Sequence, residues 1–165
     1  MSGIAEKMKE LEGRRKDFLH ASPELLEKAG YRLGYDRPLI VRCFDSRLDC
    51  IFDAFLKENG WSHKDVISLP GGARALASND PADAAARQTI FQAIKTSIAA
   101  HDAKWILLTI HFDCRGYGIA FSSDEAERET QKLDIEEAVR FVSENLSPDF
   151  FVEGRFVDGR GIHPV

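Results

Sequence analysis

Two short segments of the chain combine residue types that bind soft metal ions. The segment at 43–47 reads C-F-D-S-R, and the segment at 111–114 reads H-F-D-C. Zinc prefers cysteine sulfur and imidazole nitrogen as ligands, so Cys43, His111 and Cys114 form a candidate zinc-binding set. Three protein ligands leave the fourth tetrahedral position for water or substrate, which is typical of catalytic rather than structural zinc sites.

Asp45 and Arg47 supply charge beside this candidate site. The cation of Arg47 is expected to keep Asp45 ionised, preferably through a two-pronged hydrogen bond. An ionised Asp45 could orient a hydroxide on the zinc, or it could bind the metal itself and block the fourth position. Alternatively, Asp45 or Ser46 only caps the helix that follows, with Asp49 supporting a capping box.

The third cysteine and the two tryptophans have other predicted roles. Cys50 lies on a helix face away from the predicted strand edge, so we expect it to pack in the protein. Trp61 and Trp105 are expected to be packing anchors. The odd number of cysteines, and an N-terminus without an apolar signal core, indicate a reducing compartment and predict a cytoplasmic location.

Alternating strands and helices must position these residues. Short apolar runs predict strands, and helical spacing of apolar residues predicts helices between them. The strands are expected at 38–43, 65–69 and 104–110, and the helices at 48–59, 81–101 and 123–145. This alternation is typical of an α/β fold in three layers, with a mostly parallel central sheet and helices on both faces. Two segments around a turn, 150–157 and 160–165, predict an antiparallel strand at the C-terminal edge.

The predicted topology explains how distant residues could share one site. Ligands of open α/β sheets collect at the carboxyl ends of the strands. If the first and third strands are neighbours, about 4.8 Å apart, Cys43 and His111 lie side by side. Cys114 then curls back from the loop towards them.

Length and composition favour one domain and argue against a nucleic-acid binder or a membrane protein. The 165 residues suit a single domain over 1–165. The net charge is −5 and the chain offers no basic run longer than three residues, which argues against a nucleic-acid partner. No apolar stretch approaches the roughly 20 residues of a membrane span. Residues 4–19 carry a thin apolar stripe at helical spacing, which could lie on a partner subunit as readily as on the chain's own core.

Together, the two motifs resemble those of the β-class carbonic anhydrases of the short, minimal type. That family carries C-x-D-S-R and H-[ST]-D-C, and the resemblance spans most of the chain. It implies that Cys43, His111 and Cys114 bind Zn²⁺. It also implies that Asp45 and Arg47 form the catalytic gating pair, with Asp45 on the metal only in a closed form.

The resemblance also implies a reaction and an assembly. The reaction is the reversible hydration of carbon dioxide to bicarbonate by attack of zinc-bound hydroxide. The expected partners are this small-molecule substrate and further copies of the chain, as a homodimer or a higher homo-oligomer. Residues 1–30 are then expected to form a helical arm that packs on a partner subunit, which fits the thin apolar stripe.

Three positions depart from the family pattern. Where the family has an R-N-A-G-N-like segment, this chain has Pro70 followed by Gly71 and Gly72. The backbone N–H groups of the two glycines are expected to bind substrate. Pro70 removes one hydrogen-bond donor from this segment, because proline has no backbone N–H. Ile110 and Arg115 stand where the family usually has glycine. These changes leave two alternatives, which are a zinc hydrolase of carbon disulfide or carbonyl sulfide and a non-catalytic zinc-binding homologue.

Overall fold

The computed structural model describes residues 37–61 and 64–165, which form a five-stranded sheet with helices packed against it. The strands are β1 (Pro38–Arg42), β2 (Asp65–Ser68), β3 (Trp105–His111), β4 (Phe151–Asp158) and β5 (Gly161–Pro164). The helices are α1 (Asp49–Glu58), α2 (Arg74–Ala77), α3 (Ala84–His101) and α4 (Asp124–Asn145).

The sheet has the order β2-β1-β3-β4-β5. The first four strands are parallel, and β5 runs antiparallel to β4 at the C-terminal edge. The α/β fold with a mostly parallel sheet is therefore confirmed. Because β1 and β3 are neighbours, the two segments that follow them leave the sheet at the same edge.

The central strands are buried because their side chains are apolar on both faces. Residues 39–41 of β1 are at most 1% exposed, and residues 106–110 of β3 are equally buried. Such continuous apolar runs are typical of parallel strands covered on both sides. Trp105 is the first residue of β3. Its ring packs edge-to-face on Trp61 with the ring centroids 4.8 Å apart, which confirms both tryptophans as packing residues.

Helix α4 begins at Asp124, one residue after the predicted start, and Ser123 is its N-cap. The Ser123 hydroxyl accepts a hydrogen bond from the Ala126 backbone N–H at 3.1 Å. Three acidic residues in the first turn complement the positive end of the helix dipole. The helix packs on β3 and β4, and its buried face includes the polar residues Glu127 and Gln131.

Other boundaries differ from the sequence predictions by small amounts. A 3₁₀ turn at Ser46–Leu48 precedes α1, and another at Pro81–Asp83 precedes α3. The short helix α2 was not predicted. The expectation that Cys50 packs in the protein is wrong, because Cys50 is exposed. It lies on the face of α1 opposite Phe52 and Leu56, which are the buried residues of that helix.

The predicted helical arm at residues 1–30 lies outside the described residues. The arm and the extent of the domain over 1–165 therefore stay predictions. Within the described part of the chain, no helix is long and apolar enough to cross a membrane.

Candidate metal centre

Three buried side chains meet where β1 and β3 end. Cys43 directly follows β1, His111 is the last residue of β3, and Cys114 lies three residues further along. Their ligand atoms all lie within 4.8 Å of one another, and each residue is at most 5% exposed. The structure therefore brings together the three metal ligands that the sequence predicts.

The imidazole of His111 is oriented as a metal ligand. Its Nδ1 lies 2.8 Å from the backbone carbonyl oxygen of Phe112. A carbonyl only accepts, so Nδ1 carries the proton and the lone pair is on Nε2. Nε2 is buried and has no hydrogen-bond partner in residues 37–61 and 64–165. Burial also lowers the pKa of His111, which favours the neutral form that a metal requires.

The two sulfur atoms have the spacing that a shared zinc ion requires. Cys43 Sγ and Cys114 Sγ are 3.9 Å apart. Two zinc–sulfur bonds of about 2.3 Å at a tetrahedral angle place sulfurs about 3.8 Å apart. The pKa of the Cys114 thiol is raised to about 12, mainly by burial and to a smaller extent by the nearby Cys43. A buried thiolate here therefore needs a cation, and the donor set fits zinc.

Asp45 and Arg47 form the two-pronged pair that the sequence predicts. The Arg47 Nε donates to both carboxylate oxygens at 3.0 Å, and Nη2 donates to Oδ2 at 2.6 Å. These bonds lower the pKa of Asp45 to about 2. The same carboxylate accepts a hydrogen bond from the Arg47 backbone N–H at 3.0 Å and so caps the 3₁₀ turn. Asp45 therefore both pairs with the Arg47 side chain and caps this turn. Asp49 does not complete a capping box, because its carboxylate pairs with Arg42.

Arg47 also bridges to the loop after β3, which sequence reasoning did not anticipate. Its Nη1 donates to Asp113 Oδ2 at 2.9 Å, and its Nη2 donates to the Asp113 backbone oxygen at 3.2 Å. Asp113 has the left-handed φ of 55°, which turns the chain between His111 and Cys114. One guanidinium therefore ties together the two loops that carry the candidate ligands.

The glycines after β2 pack against the ligand loops. Gly71 and Gly72 have φ of 76° and 59°, and a Cβ on Gly72 would lie 2.4 Å from the Thr109 carbonyl oxygen. The Gly72 N–H donates to the Leu69 carbonyl at 3.2 Å. The Gly71 N–H contacts the Cys114 sulfur, and this hydrogen bond lowers the pKa of the thiol. Burial raises the same pKa by a larger amount. The assignment of both glycines to substrate binding stays a prediction.

A cleft of about 350 Å³ opens over this cluster. Four of the predicted site residues line it, whereas Cys114, Gly71 and Gly72 do not. The full lining is Cys43, Phe44, Asp45, Ser46, Arg47, Pro70, His111, Arg115 and Gly116. A larger groove, of about 750 Å³, lies along β2 and α3 and includes none of the predicted site residues. Size alone therefore does not locate the chemistry.

Sequence reasoning missed two buried polar residues behind the site. Gln131 donates to the His111 carbonyl at 3.0 Å, and Glu127 accepts from the Cys114 backbone N–H at 3.3 Å. Both lie on α4, one helical turn apart. The only signal in the sequence was a polar pair at i and i+4 on the face of α4 that turns towards the core.

The fold and the site together define an α/β protein with a candidate sulfur–nitrogen metal centre at the carboxyl edge of a parallel sheet. Residues 36–163 match the family model described as "Putative carbonic anhydrase". The chain belongs to this family, in its β class, which confirms the resemblance inferred from the motifs.

Solved structures of β-class enzymes share the fold. The structure is similar to β-carbonic anhydrase isoform I of Trichomonas vaginalis, with 20% identity, a TM-score of 0.52 and coverage of 95% of this chain and 96% of that chain. It is also similar to the β-carbonic anhydrase CafA of Aspergillus fumigatus, with 16% identity, a TM-score of 0.52 and coverage of 99% and 89%. A third similar structure is a carbonic anhydrase from Glaciozyma antarctica, with 19% identity, a TM-score of 0.51 and coverage of 77% of this chain and 80% of that chain. A search of curated proteins found no match.

Proposed function

We propose that this chain is a zinc-dependent carbonic anhydrase that hydrates carbon dioxide reversibly to bicarbonate. The observation that carries the proposal is the buried cluster of Cys43, His111 and Cys114, with the Asp45–Arg47 pair in the same cleft. Membership of the carbonic anhydrase family supports the reaction class.

The three buried side chains would hold the ion. Cys43 and Cys114 would bind as thiolates, and His111 would bind through the Nε2 lone pair. When bound, zinc supplies Lewis acidity that brings the pKa of a water ligand down towards about 7, so that a nucleophile is available near neutral pH.

Asp45 orients that nucleophile. With a pKa of about 2, its carboxylate is ionised at neutral pH and can only accept hydrogen bonds. The carboxylate would therefore accept a hydrogen bond from the nucleophile and so orient it for attack on carbon dioxide. Arg47 holds the carboxylate in place, and Asp113 holds Arg47. A closed form with Asp45 on the metal requires the Asp45–Arg47 pair to open, and it remains part of this proposal.

The cleft around the pair suits both forms of the substrate. Phe44 is 62% exposed and offers an apolar wall against which carbon dioxide can lie. Arg115 lines the same cleft and adds positive charge that favours the bicarbonate anion.

We further propose that the chain forms a homodimer or a higher homo-oligomer in the cytoplasm, with residues 1–30 packed on the partner subunit. The thin apolar stripe of residues 4–19 supports this assembly, and the three cysteines, none of which forms a disulfide, support the location. Light scattering on the full-length chain and on a chain beginning at residue 31 tests the assembly. Loss of the oligomer on truncation is the expected result.

Stopped-flow measurement of carbon dioxide hydration by the zinc-loaded protein tests the reaction. We expect rapid hydration by the wild type and by Cys50→Ser, whose cysteine is exposed and outside the cleft. Cys43→Ser is expected to reduce the rate to the background. A wild-type rate no faster than that of Cys43→Ser would reject the proposed activity.

Arg115 at the cleft, in place of the family's usual glycine, motivates the alternatives. Release of sulfide from carbon disulfide or carbonyl sulfide, without hydration of carbon dioxide, would identify a hydrolase of these molecules. Zinc bound at full occupancy without turnover of any of the three substrates would identify a non-catalytic homologue.

A further inference from the structure

Two polar side chains of α4 lie buried behind the loop that carries two of the candidate ligands. Gln131 is 0% exposed, and Glu127, one helical turn earlier, is 8% exposed. Further along the helix this buried face carries the apolar residues Ile135, Ala138 and Val142. Burying a polar side chain costs free energy unless its hydrogen bonds are made, so the contacts of these two residues indicate their purpose.

Gln131 fixes the backbone next to His111. Its Nε2 donates to the His111 carbonyl at 3.0 Å and to Glu127 Oε1 at 2.7 Å. The N–H of the same peptide unit, which belongs to Phe112, donates to the Val157 carbonyl at 3.0 Å. The peptide unit is therefore held on both sides. The following carbonyl, of Phe112, is the one that receives the Nδ1 proton of His111 and sets the direction of the ring.

Glu127 fixes the backbone at the other ligand. Its Oε1 accepts from the Cys114 N–H at 3.3 Å and from Gln131 Nε2. One oxygen atom thus joins the backbone of Cys114 to the amide that holds the backbone of His111. The two ligands on the β3 side of the site are anchored to a single turn of one helix.

Packing alone does not account for glutamine at position 131. Its Oε1 is buried and has no hydrogen-bond partner in the part of the chain that the structure describes. Methionine, which is unbranched and of similar length, would fill the same space without an unpaired acceptor. The remaining reason for an amide here is the bond from Nε2 to the His111 carbonyl.

We propose that Glu127 and Gln131 are positioning residues that preset the distance and direction between His111 and Cys114, and that this determines how tightly the site holds zinc. The inference rests on the zinc centre of the proposed function. Groups that orient metal ligands in this way typically change metal affinity by about 10–100-fold when they are removed. A ligand loop that is already ordered loses less conformational entropy when the ion binds, so the ion binds more tightly.

Equilibrium competition between the protein and a chromophoric zinc chelator tests the proposal. We expect Gln131→Met and Glu127→Leu each to weaken zinc binding by about 10–100-fold. Glu127→Gln keeps an oxygen acceptor for both donors, so it should recover most of the affinity that Glu127→Leu loses. Ile135→Val changes a buried residue on the same face of α4 without touching the ligand loop, and it should bind zinc as the wild type does.

A spectroscopic measurement separates positioning from general loss of stability. The absorption bands of the Co²⁺-substituted protein report the geometry of the ligands around the ion. They should change in Gln131→Met and match the wild type in Glu127→Gln and Ile135→Val. If Gln131→Met does not fold, Gln131→Asn replaces it, because its shorter amide cannot reach the His111 carbonyl.

The outcomes are distinguishable from failure of the proposed function. Wild-type affinity in Gln131→Met or Gln131→Asn, or an equal loss in Ile135→Val, overturns the positioning role and leaves the carbonic anhydrase proposal intact. A wild type that binds zinc with the expected variant effects, but does not hydrate carbon dioxide, overturns only the proposed reaction. A wild type that binds no zinc overturns both.

Discussion

The sulfur atoms of Cys43 and Cys114 lie 3.9 Å apart, although 71 positions separate the two residues along the chain. This proximity depends on the pairing of β1 with β3, which brings the carboxyl ends of two parallel strands to one edge of the sheet. A single tetrahedral ion would fit between the sulfurs. Nε2 of His111, which has no hydrogen-bond partner among the residues that the structure describes, would supply a third ligand.

Replacement of a ligand cysteine should remove the metal. We expect about one zinc per chain in the wild type and nearly none in Cys114→Ser, because a serine hydroxyl does not ionise to replace a thiolate. Elemental analysis of purified protein measures this. Cys50→Ser is the matched control and should keep the full zinc content, since Cys50 is exposed and outside the cluster. Equal zinc in Cys114→Ser and wild type would contradict the assigned ligands.

Zinc binding should release protons and strengthen as the pH rises. In the metal-free protein the pKa of Cys114 is about 12, so this thiol is protonated at neutral pH, whereas a metal ligand must be a thiolate. At least one proton leaves for each zinc bound, and the affinity should rise about tenfold or more for each pH unit between 6 and 8. Calorimetry in buffers of different ionisation enthalpy counts the protons. Binding without proton release would show that Cys114 does not coordinate as a thiolate.

The charge of Asp45 should matter for the reaction and not for the metal. Asp45→Asn keeps an oxygen that can cap the 3₁₀ turn but removes the ionised acceptor. We expect carbon dioxide hydration to fall by about 10–100-fold with zinc content unchanged. Asp49→Asn is the control, because Asp49 pairs with Arg42 and does not line the cleft. A full rate in Asp45→Asn would exclude Asp45 from orienting the nucleophile.

Arg47 should account for the low pKa of Asp45. In Arg47→Leu we expect the pKa of the Asp45 carboxyl to rise from about 2 towards its ordinary value of 3.8. Carbon-detected NMR of the side-chain carboxyl measures this shift, and Arg140→Leu, which breaks a remote ion pair with Glu137, should leave it unchanged.

The same pKa difference fixes the sign of the stability effect. A depressed carboxyl pKa stabilises the folded state above the unfolded-state value, and this contribution disappears as the pH falls from about 4 to about 2. The difference in unfolding free energy between wild type and Arg47→Leu should therefore be present at pH 5 and shrink below pH 4. It should be small and decrease with salt, since Arg47 is 60% exposed. A constant difference across this range would contradict the assigned cause.

A side chain at Gly72 should destabilise the fold. Its φ is 59°, and a Cβ there would lie 2.4 Å from the Thr109 carbonyl oxygen, so the strain and the clash act together. We expect Gly72→Ala to lower the unfolding free energy by at least about 2 kcal/mol in urea denaturation. Gly159→Ala is the matched control, because nothing lies within 4 Å of the added carbon. Equal stability of the two variants would contradict the close approach of this loop to β3.

The sequence by itself was sufficient where the information is local or is carried by residue type. The apolar runs of β1 and β3 predict buried strands because an uninterrupted apolar segment needs cover on both faces. Ser122 or Ser123 could be predicted as the cap of α4 because a serine hydroxyl can satisfy an N–H of the first turn, and the structure shows that Ser123 is the cap. Cys43, His111 and Cys114 could be proposed as ligands because sulfur and imidazole at predicted strand ends have few other uses.

Contacts between residues that are far apart in the sequence could be found only in the tertiary structure. The contact of Arg47 with Asp113, the limited space at Gly72 and the bonds from α4 to the ligand loop involve partners whose spacing along the chain has no regular period. Hydrophobic periodicity assigns elements and faces, whereas hydrogen bonds between elements depend on atomic positions that are fixed only once the whole sheet and its helices have packed.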